Sequence, residues 1–237
     1  MTVATLVDQI KAALREHADP DKAAPMQAYM KSEMPYLGVR VPVVRTICRP
    51  LIREAEPLGR DRWEAAIREL YDGAVYREER YAALSIVRHV RYHEYLTYAA
   101  LPLLEHLIRT GAWWDLVDET SHCVGVVLMA DGARTTRSMR RWSRDEDLWI
   151  RRSSIICQLG HQDATDTDLL TACILPNLTD REFFIRKAIG WALREYAWTD
   201  PDWVRTLVDS YHELMSPLSR REATKHLAGR TETGGLR

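Results

Sequence analysis

Apolar residues recur at three- and four-residue spacing along nearly the whole chain, and no segment shows sustained strict alternation. Leu6, Ile10 and Leu14 mark a first amphipathic helix, which Asp19-Pro20-Asp21 is expected to break. Ala24 to Lys31 continues as a short helix until Met34-Pro35-Tyr36-Leu37-Gly38. Pro42 to about Glu56, Arg62 to about Tyr71 and Arg77 to Val90 follow. Further helices are predicted over 93–109, 113–130, 133–142, 147–159, 166–174, 181–197, 201–214 and 217–228. The breakers between them are brief, among them Asp72-Gly73, Gly111, Asp131-Gly132, Gly160 and Ser216-Pro217. Such short turns imply antiparallel helix neighbours.

Aligning these helices on one another exposes a repeat. Arg80-Tyr81-Ala82-Ala83-Leu84, Arg152-Ser153-Ser154-Ile155, Arg186-Lys187-Ala188-Ile189 and Arg221-Glu222-Ala223-Thr224 occupy matching positions, with Trp113 to Asp118 between the first two. The step from Tyr81 to Val117, Arg152, Lys187 and Glu222 is about 35 residues, a helical-repeat period shorter than the usual HEAT length. The expected fold is all-α: an α-solenoid of antiparallel, HEAT-like helix pairs with a concave basic groove, in a single domain over 1–237. Residues 229–237 are expected to be a frayed tail, and a solenoid with polar ends is expected to be a monomer.

The repeat register places Asp118, Arg152 and Lys187 at nearly equivalent points on successive inner helices, with Trp114 one turn before Asp118 and Trp191 one turn after Lys187. An aromatic plate beside a carboxylate suits either a buried structural pair or a site that stabilises developing positive charge. Trp113 and Asp115, off that face, read as structural. Trp149, near Arg152, is a groove candidate, although large aromatics equally serve helix packing.

Composition narrows the chemistry. Net charge is −1, which does not by itself point to a polyanion partner. The basic residues are clustered, however: Arg134, Arg137, Arg140, Arg141, Arg144, Arg151 and Arg152, then Arg186, Lys187 and Arg194, then Arg220, Arg221 and Lys225. Any one cluster reads as a solvated helix face. Three at the repeat period read as a phosphate-binding track. The cysteines, Cys48, Cys123, Cys157 and Cys173, stand singly with no CxxC pair, so neither a zinc site nor a disulfide framework is indicated and a reducing cytoplasm is expected. The histidines show no metal-ligand spacing, and no glycine-rich phosphate loop is present, so no metal or cofactor is expected. The N-terminus lacks signal-peptide character, and no apolar run is long enough to span a membrane.

These residues resemble the AlkD-like DNA glycosylases, the HEAT-like-repeat DNA alkylation repair enzymes. The resemblance covers almost the whole chain. It runs through Lys22 to Lys31, Leu37-Gly38-Val39, Trp113 to Asp118, Leu148 to Arg152, Glu182 to Ala197 and Pro217 to Ala223, with a departure at Met34-Pro35-Tyr36. It implies excision of positively charged N3-alkyladenine and N7-alkylguanine from double-stranded DNA without a metal. It carries the catalytic carboxylate to Asp118, the groove tryptophans to Trp114 and Trp191, the groove arginine to Arg152 and the N-terminal groove tyrosine to Tyr29. Lys31, Trp149, Lys187, Arg194 and Arg221 are the further residues expected to touch DNA. A non-catalytic DNA-structure-binding module and a protein-interaction solenoid are the competing readings. Retention of Asp118 with both tryptophans argues against the first, and the basic clusters argue against the second.

Overall fold

The computed structural model describes residues 3–227, which contain helices and no strands. The tail expected to fray at 229–237 lies outside the described residues. The chain divides into two compact units, one running to Leu96 and the other beginning at Thr97.

The first unit holds α1 (Val3–Glu16), α2 (Pro20–Met30), α3 (Val41–Glu54), α4 (Arg60–Asp72) and α5 (Arg77–Val87). Helix α1 packs on α3, α4 and α5, burying Leu6, Ile10 and Leu14 against Val44, Ile52, Ile67 and Leu70. Asp19-Pro20 does not merely break α1, as the sequence pattern suggested. The Asp19 carboxylate accepts the Lys22 backbone N–H as an N-cap and Pro20 opens α2, four residues earlier than Ala24. Proline suits the first helical position because its missing N–H would have no partner there.

The Leu37-Gly38-Val39 motif also has a local cause. The fully buried carboxylate of Glu78, on the first turn of α5, accepts the backbone N–H groups of Leu37, Gly38 and Val39 at 2.9, 2.9 and 3.0 Å. Gly38 sits at φ +87°, and a Cβ there would lie 2.0 Å from the Asp19 carbonyl oxygen. A side chain is therefore excluded twice, by conformation and by space.

The periodicity misled across the boundary at Leu96, where Val90–Tyr95 still belongs to the first unit and Tyr98–Ala100 to the second. The helix expected over 93–109 is instead two 3₁₀ turns, Val90–Tyr95 and Tyr98–Ala100, followed by α6 (Leu101–Gly111). Then come α7 (Trp114–Ala130), α8 (Gly132–Trp142), α9 (Leu148–Ile156), α10 (Thr167–Ile174), α11 (Phe183–Tyr196), α12 (Pro201–Ser210) and α13 (Pro217–Ala223). Helices α7, α9, α11 and α13 pack in chain order, each against the next, with α6, α8, α10 and α12 beside them. This alternation is the expected repeat of helix pairs.

Polar bonds between neighbouring repeats keep the predicted period. The Ser121 and Ser153 hydroxyls meet at 2.9 Å, Asn177 Nδ2 donates to the Ser143 carbonyl at 2.8 Å, and Ser219 Oγ donates to the Arg186 carbonyl at 2.9 Å. Two mid-helix glycines set how closely the helices approach. A Cβ on Gly125 would lie 2.2 Å from the Cys157 carbonyl oxygen, and one on Gly190 would lie 2.5 Å from Glu222 Cβ.

Alanine favours an exposed helix by about 1 kcal/mol over glycine. At Gly125 a backbone oxygen blocks the methyl group, and overpacking costs about 1–3 kcal/mol. Gly125→Ala is therefore expected to lower the melting temperature. A melting temperature equal to or above that of the wild type would refute the close α7–α9 approach.

Candidate active site

Helix α6 ends with Ala112 in the left-handed region, and Trp113 then adopts an extended backbone conformation that starts α7. This turn sends the paired tryptophans in different directions. Trp113 joins an aromatic cluster, 5.9 Å from Trp149 on α9 and 5.4 Å from Phe184 on α11, with Trp149 and Phe184 4.9 Å apart. Trp114, the first residue of α7, stays half-buried, and Asp118 follows one turn later on the same helix face. The structural reading of Trp113 thus has a specific content: it pins the start of α7 to α9 and α11.

Asp118 is gripped by Arg152. Nε donates to Oδ1 at 2.7 Å and Nη2 to Oδ2 at 2.8 Å, a two-pronged pairing of guanidinium and carboxylate. Nη1 donates to the Phe184 carbonyl at 2.7 Å, so the arginine is tied to α11 as well. The Arg152 side chain is 5% exposed and that of Asp118 16%. Burial pushes the Asp118 carboxyl above the ordinary aspartate value. The hydrogen bonds and charge of Arg152 pull it back, as does the charge of His122 one turn further along α7.

Two of the residues expected to contact DNA have partners within the protein. Arg152, expected to hold a phosphate, donates three of its guanidinium N–H groups within the protein, two to Asp118 and one to the Phe184 carbonyl. Trp149, expected in the groove, is buried in the aromatic cluster, because its indole fills the space between Trp113 and Phe184.

Lys187 and Arg194, also expected to meet DNA, converge on one carboxylate. Lys187 Nζ lies 3.1 Å from Glu222 Oε1, and Arg194 Nη1 donates to Oε2. These bonds hold Glu222 below the usual glutamate value, the Lys187 hydrogen bond having the largest effect. Trp191 lies one turn beyond Lys187 on α11 and is half-exposed, and Arg221 is exposed on α13. In the first unit, Tyr29 is exposed on α2, and Lys31 ends that helix in the left-handed region with an exposed side chain.

The long arginine run is partly structural. Arg151 pairs with Asp180 at 3.0 Å, and Arg134 bonds to Asp131. Arg134, Arg137, Arg140 and Arg141 belong to α8, outside the α7–α9–α11–α13 series that carries Asp118. Sequence reasoning missed Glu222, Phe184 and His122 as partners. Glu222 was signalled by its place in the repeat register. The Phe184 carbonyl carried no signal, since any residue supplies a backbone oxygen. Among the described residues no group of His, Cys, Asp and Glu side chains forms a metal site, and no helix is long and apolar enough to cross a membrane.

The chain and its fold have relatives. Residues 10–227 match the model of the family described as DNA alkylation repair enzyme, and the chain belongs to that family. A solved structure described as a predicted DNA alkylation repair enzyme from Enterococcus faecalis superposes with a TM-score of 0.80 at 29% identity, covering 89% of this chain and 97% of that one. No curated protein matches the chain. Family membership supports a function in DNA alkylation repair.

The two ion pairs respond differently to perturbation. Arg152→Gln leaves a buried carboxylate without its cation, and breaking a buried pair costs about 3–5 kcal/mol. Chemical denaturation is expected to show a loss of that order, and wild-type stability would refute the pairing. Because folding lowers the Glu222 value, its pairing stabilises the fold above the unfolded glutamate value and that contribution fades as pH falls. Glu222→Gln is therefore expected to lower stability at neutral pH and to converge with wild type in acid. Equal melting temperatures at neutral pH would contradict it.

Proposed function

We propose that this protein is a monofunctional DNA glycosylase that hydrolyses the N-glycosidic bond of positively charged alkylpurines in duplex DNA. The observation that carries the proposal is the Asp118 carboxylate, paired with Arg152 one turn from the half-exposed Trp114. N3-alkyladenine and N7-alkylguanine are the substrates that suit it, and release of the base starts base excision repair. No metal or cofactor enters the proposal.

Alkylation at a ring nitrogen places positive charge on the purine and makes it a good leaving group. As the bond from the deoxyribose anomeric carbon to the purine breaks, its electron pair leaves with the base and neutralises that charge. Cationic character develops on the sugar, as in other glycoside cleavage. Water then adds to the sugar carbon and gives up a proton to solvent, leaving an abasic site.

A fixed negative group lowers the barrier most when it is already oriented before the reaction. Arg152 provides that orientation, since two parallel hydrogen bonds leave the carboxylate little freedom to rotate. The position of Asp118 suits it to stabilise the sugar cation and to orient the attacking water. The faces of Trp114 and Trp191 add cation–π attraction, about 1–2 kcal/mol each when desolvated. The reaction relies on lesions already weakened by their own positive charge. The protein is proposed to act as a monomer, with Tyr29 and Arg221 as exposed contacts to the duplex.

Duplex DNA carrying N7-methylguanine is expected to release the free base with wild-type protein. Asp118→Asn should slow single-turnover release by on the order of a hundredfold or more, the typical loss when one preorganised electrostatic group is removed. Absence of release by the wild type would refute the enzyme, and full activity of the variant would refute the function given to Asp118. Uracil in duplex DNA should not be released, and its excision would overturn the requirement for a charged base.

The rate also has a predicted pH dependence. Because burial raises the Asp118 value, its ionised form is lost, as pH falls, earlier than for an exposed aspartate. Single-turnover release should therefore decline on the acid side from above the ordinary aspartate range. A rate that holds level down to the ordinary aspartate value would contradict this.

A further inference from the structure

The first unit carries a positive cluster that the site around Asp118 does not use. Arg49 and Arg53 are both exposed and lie one turn apart on α3, near its C-terminal end. Arg91, on the 3₁₀ turn after α5, reaches the same place. Its Nη1 donates to the carbonyls of Ile52 and Ala55 at 3.2 and 2.6 Å, and its Nη2 donates to the Arg53 carbonyl at 2.6 Å. These carbonyls close the end of α3 and fix the guanidinium. They offset its charge only in part, because a helix C-terminus carries roughly half a negative charge.

His89 sits among these groups, with its Nδ1 3.3 Å from the Arg91 backbone nitrogen, and it senses all of them. Burial and then the charges of Arg91, Arg49, His93 and Arg53 depress its basicity. The carboxylate paired in this cluster is Glu54, 3.3 Å from Arg53, with both side chains well exposed. An ion pair that open to water contributes little. Like charges held this close favour an anion that spans them.

We propose that Arg49, Arg53 and the fixed guanidinium of Arg91, grouped around His89 at the C-terminal end of α3, form a phosphate-binding patch that grips the DNA backbone. The inference rests on the duplex-DNA reading above and deepens it by assigning a contact within the first unit. The patch offers positive charge, which takes phosphates irrespective of sequence. It binds undamaged and alkylated duplex alike and helps hold the protein on DNA between lesions. A phosphodiester backbone fits better than a lone anion, because Arg49 and Arg53 continue along the helix axis, as successive phosphates continue along a strand.

The test measures binding of the full chain to an undamaged duplex across a range of salt concentrations. Each phosphate contact removed takes about 0.9 from the slope of log affinity against log salt. Arg49→Gln/Arg53→Gln is therefore expected to reduce that slope by about 1–2 and to weaken binding at low salt roughly tenfold or more. Glu54→Gln, which removes the acid paired with Arg53, should strengthen binding. Arg62→Gln/Arg205→Gln, which removes the same charge from α4 and α12, should leave the slope near that of the wild type. Arg91 is left intact because it also closes α3.

An unchanged slope in Arg49→Gln/Arg53→Gln overturns the proposal. So does an equal loss in the Arg62/Arg205 control, which would reduce the effect to net charge. A third arm titrates inorganic tripolyphosphate. If the patch variant loses tripolyphosphate binding and keeps wild-type duplex binding, the patch serves a small polyanion and the DNA assignment falls. No arm reads base release, so failure of the patch and failure of the glycosylase reading are separate results.

Discussion

The contact between Asp118 and Arg152 joins the fold of the second unit to its chemistry. A carboxylate this enclosed would be neutral if it stood alone, because the charged form loses most of its hydration. The two-pronged guanidinium favours the ionised form against that loss, and the third bond of Arg152, to the Phe184 carbonyl, ties the pair to α11. One arginine on α9 thus holds together three successive inner helices and sets the direction of the negative charge. Replacing such a pair by apolar residues often leaves a protein as stable or more so. Its presence here fits the chemistry proposed for the carboxylate better than a contribution to stability.

The same principle operates further along, with the signs arranged differently. On α13, Glu222 gathers Lys187 and Arg194 from α11, close to where Gly190 lets the two helices approach. In both places a charged pair bridges neighbouring repeats beside a close helix contact, and hydroxyl and amide bonds between repeats recur at almost the same sequence separation. A repeat protein is stabilised mainly through such nearest-neighbour interfaces. That leaves the exposed ends of each helix free to vary, and there a phosphate contact costs the fold little. Arg49 and Arg53 occupy such a position in the first unit.

Much of this was legible from residue order. The spacing of Leu6, Ile10 and Leu14, and its equivalents downstream, located most helices, since helical amphipathicity is a local property. It failed over 93–109, where Leu96, Leu101 and Leu104 are all buried but are served by 3₁₀ turns as well as by a helix. Apolar spacing records which residues face inward and does not record which hydrogen-bond pattern turns them there. It also misjudged Pro20, which can end one helix or open the next; the Asp19 cap decides for opening.

Within the site, the sequence by itself determined that Trp114 and Asp118 share a face, because four residues of α-helix fix that geometry wherever the helix lies. The repeat period likewise determined that Asp118, Arg152 and Lys187 belong to successive inner helices. What only the tertiary structure decided is which charges remain available. Arg152, Lys187 and Arg194 look alike in sequence to the exposed Arg221, yet the first three are met by carboxylates 28 to 35 residues away and Arg221, among the described residues, is not. Trp149 and Trp114 also look alike, yet one is enclosed and the other half-exposed. The physical reason is range: helix formation is settled within a few residues, whereas pairing and burial depend on how separate helices pack against one another.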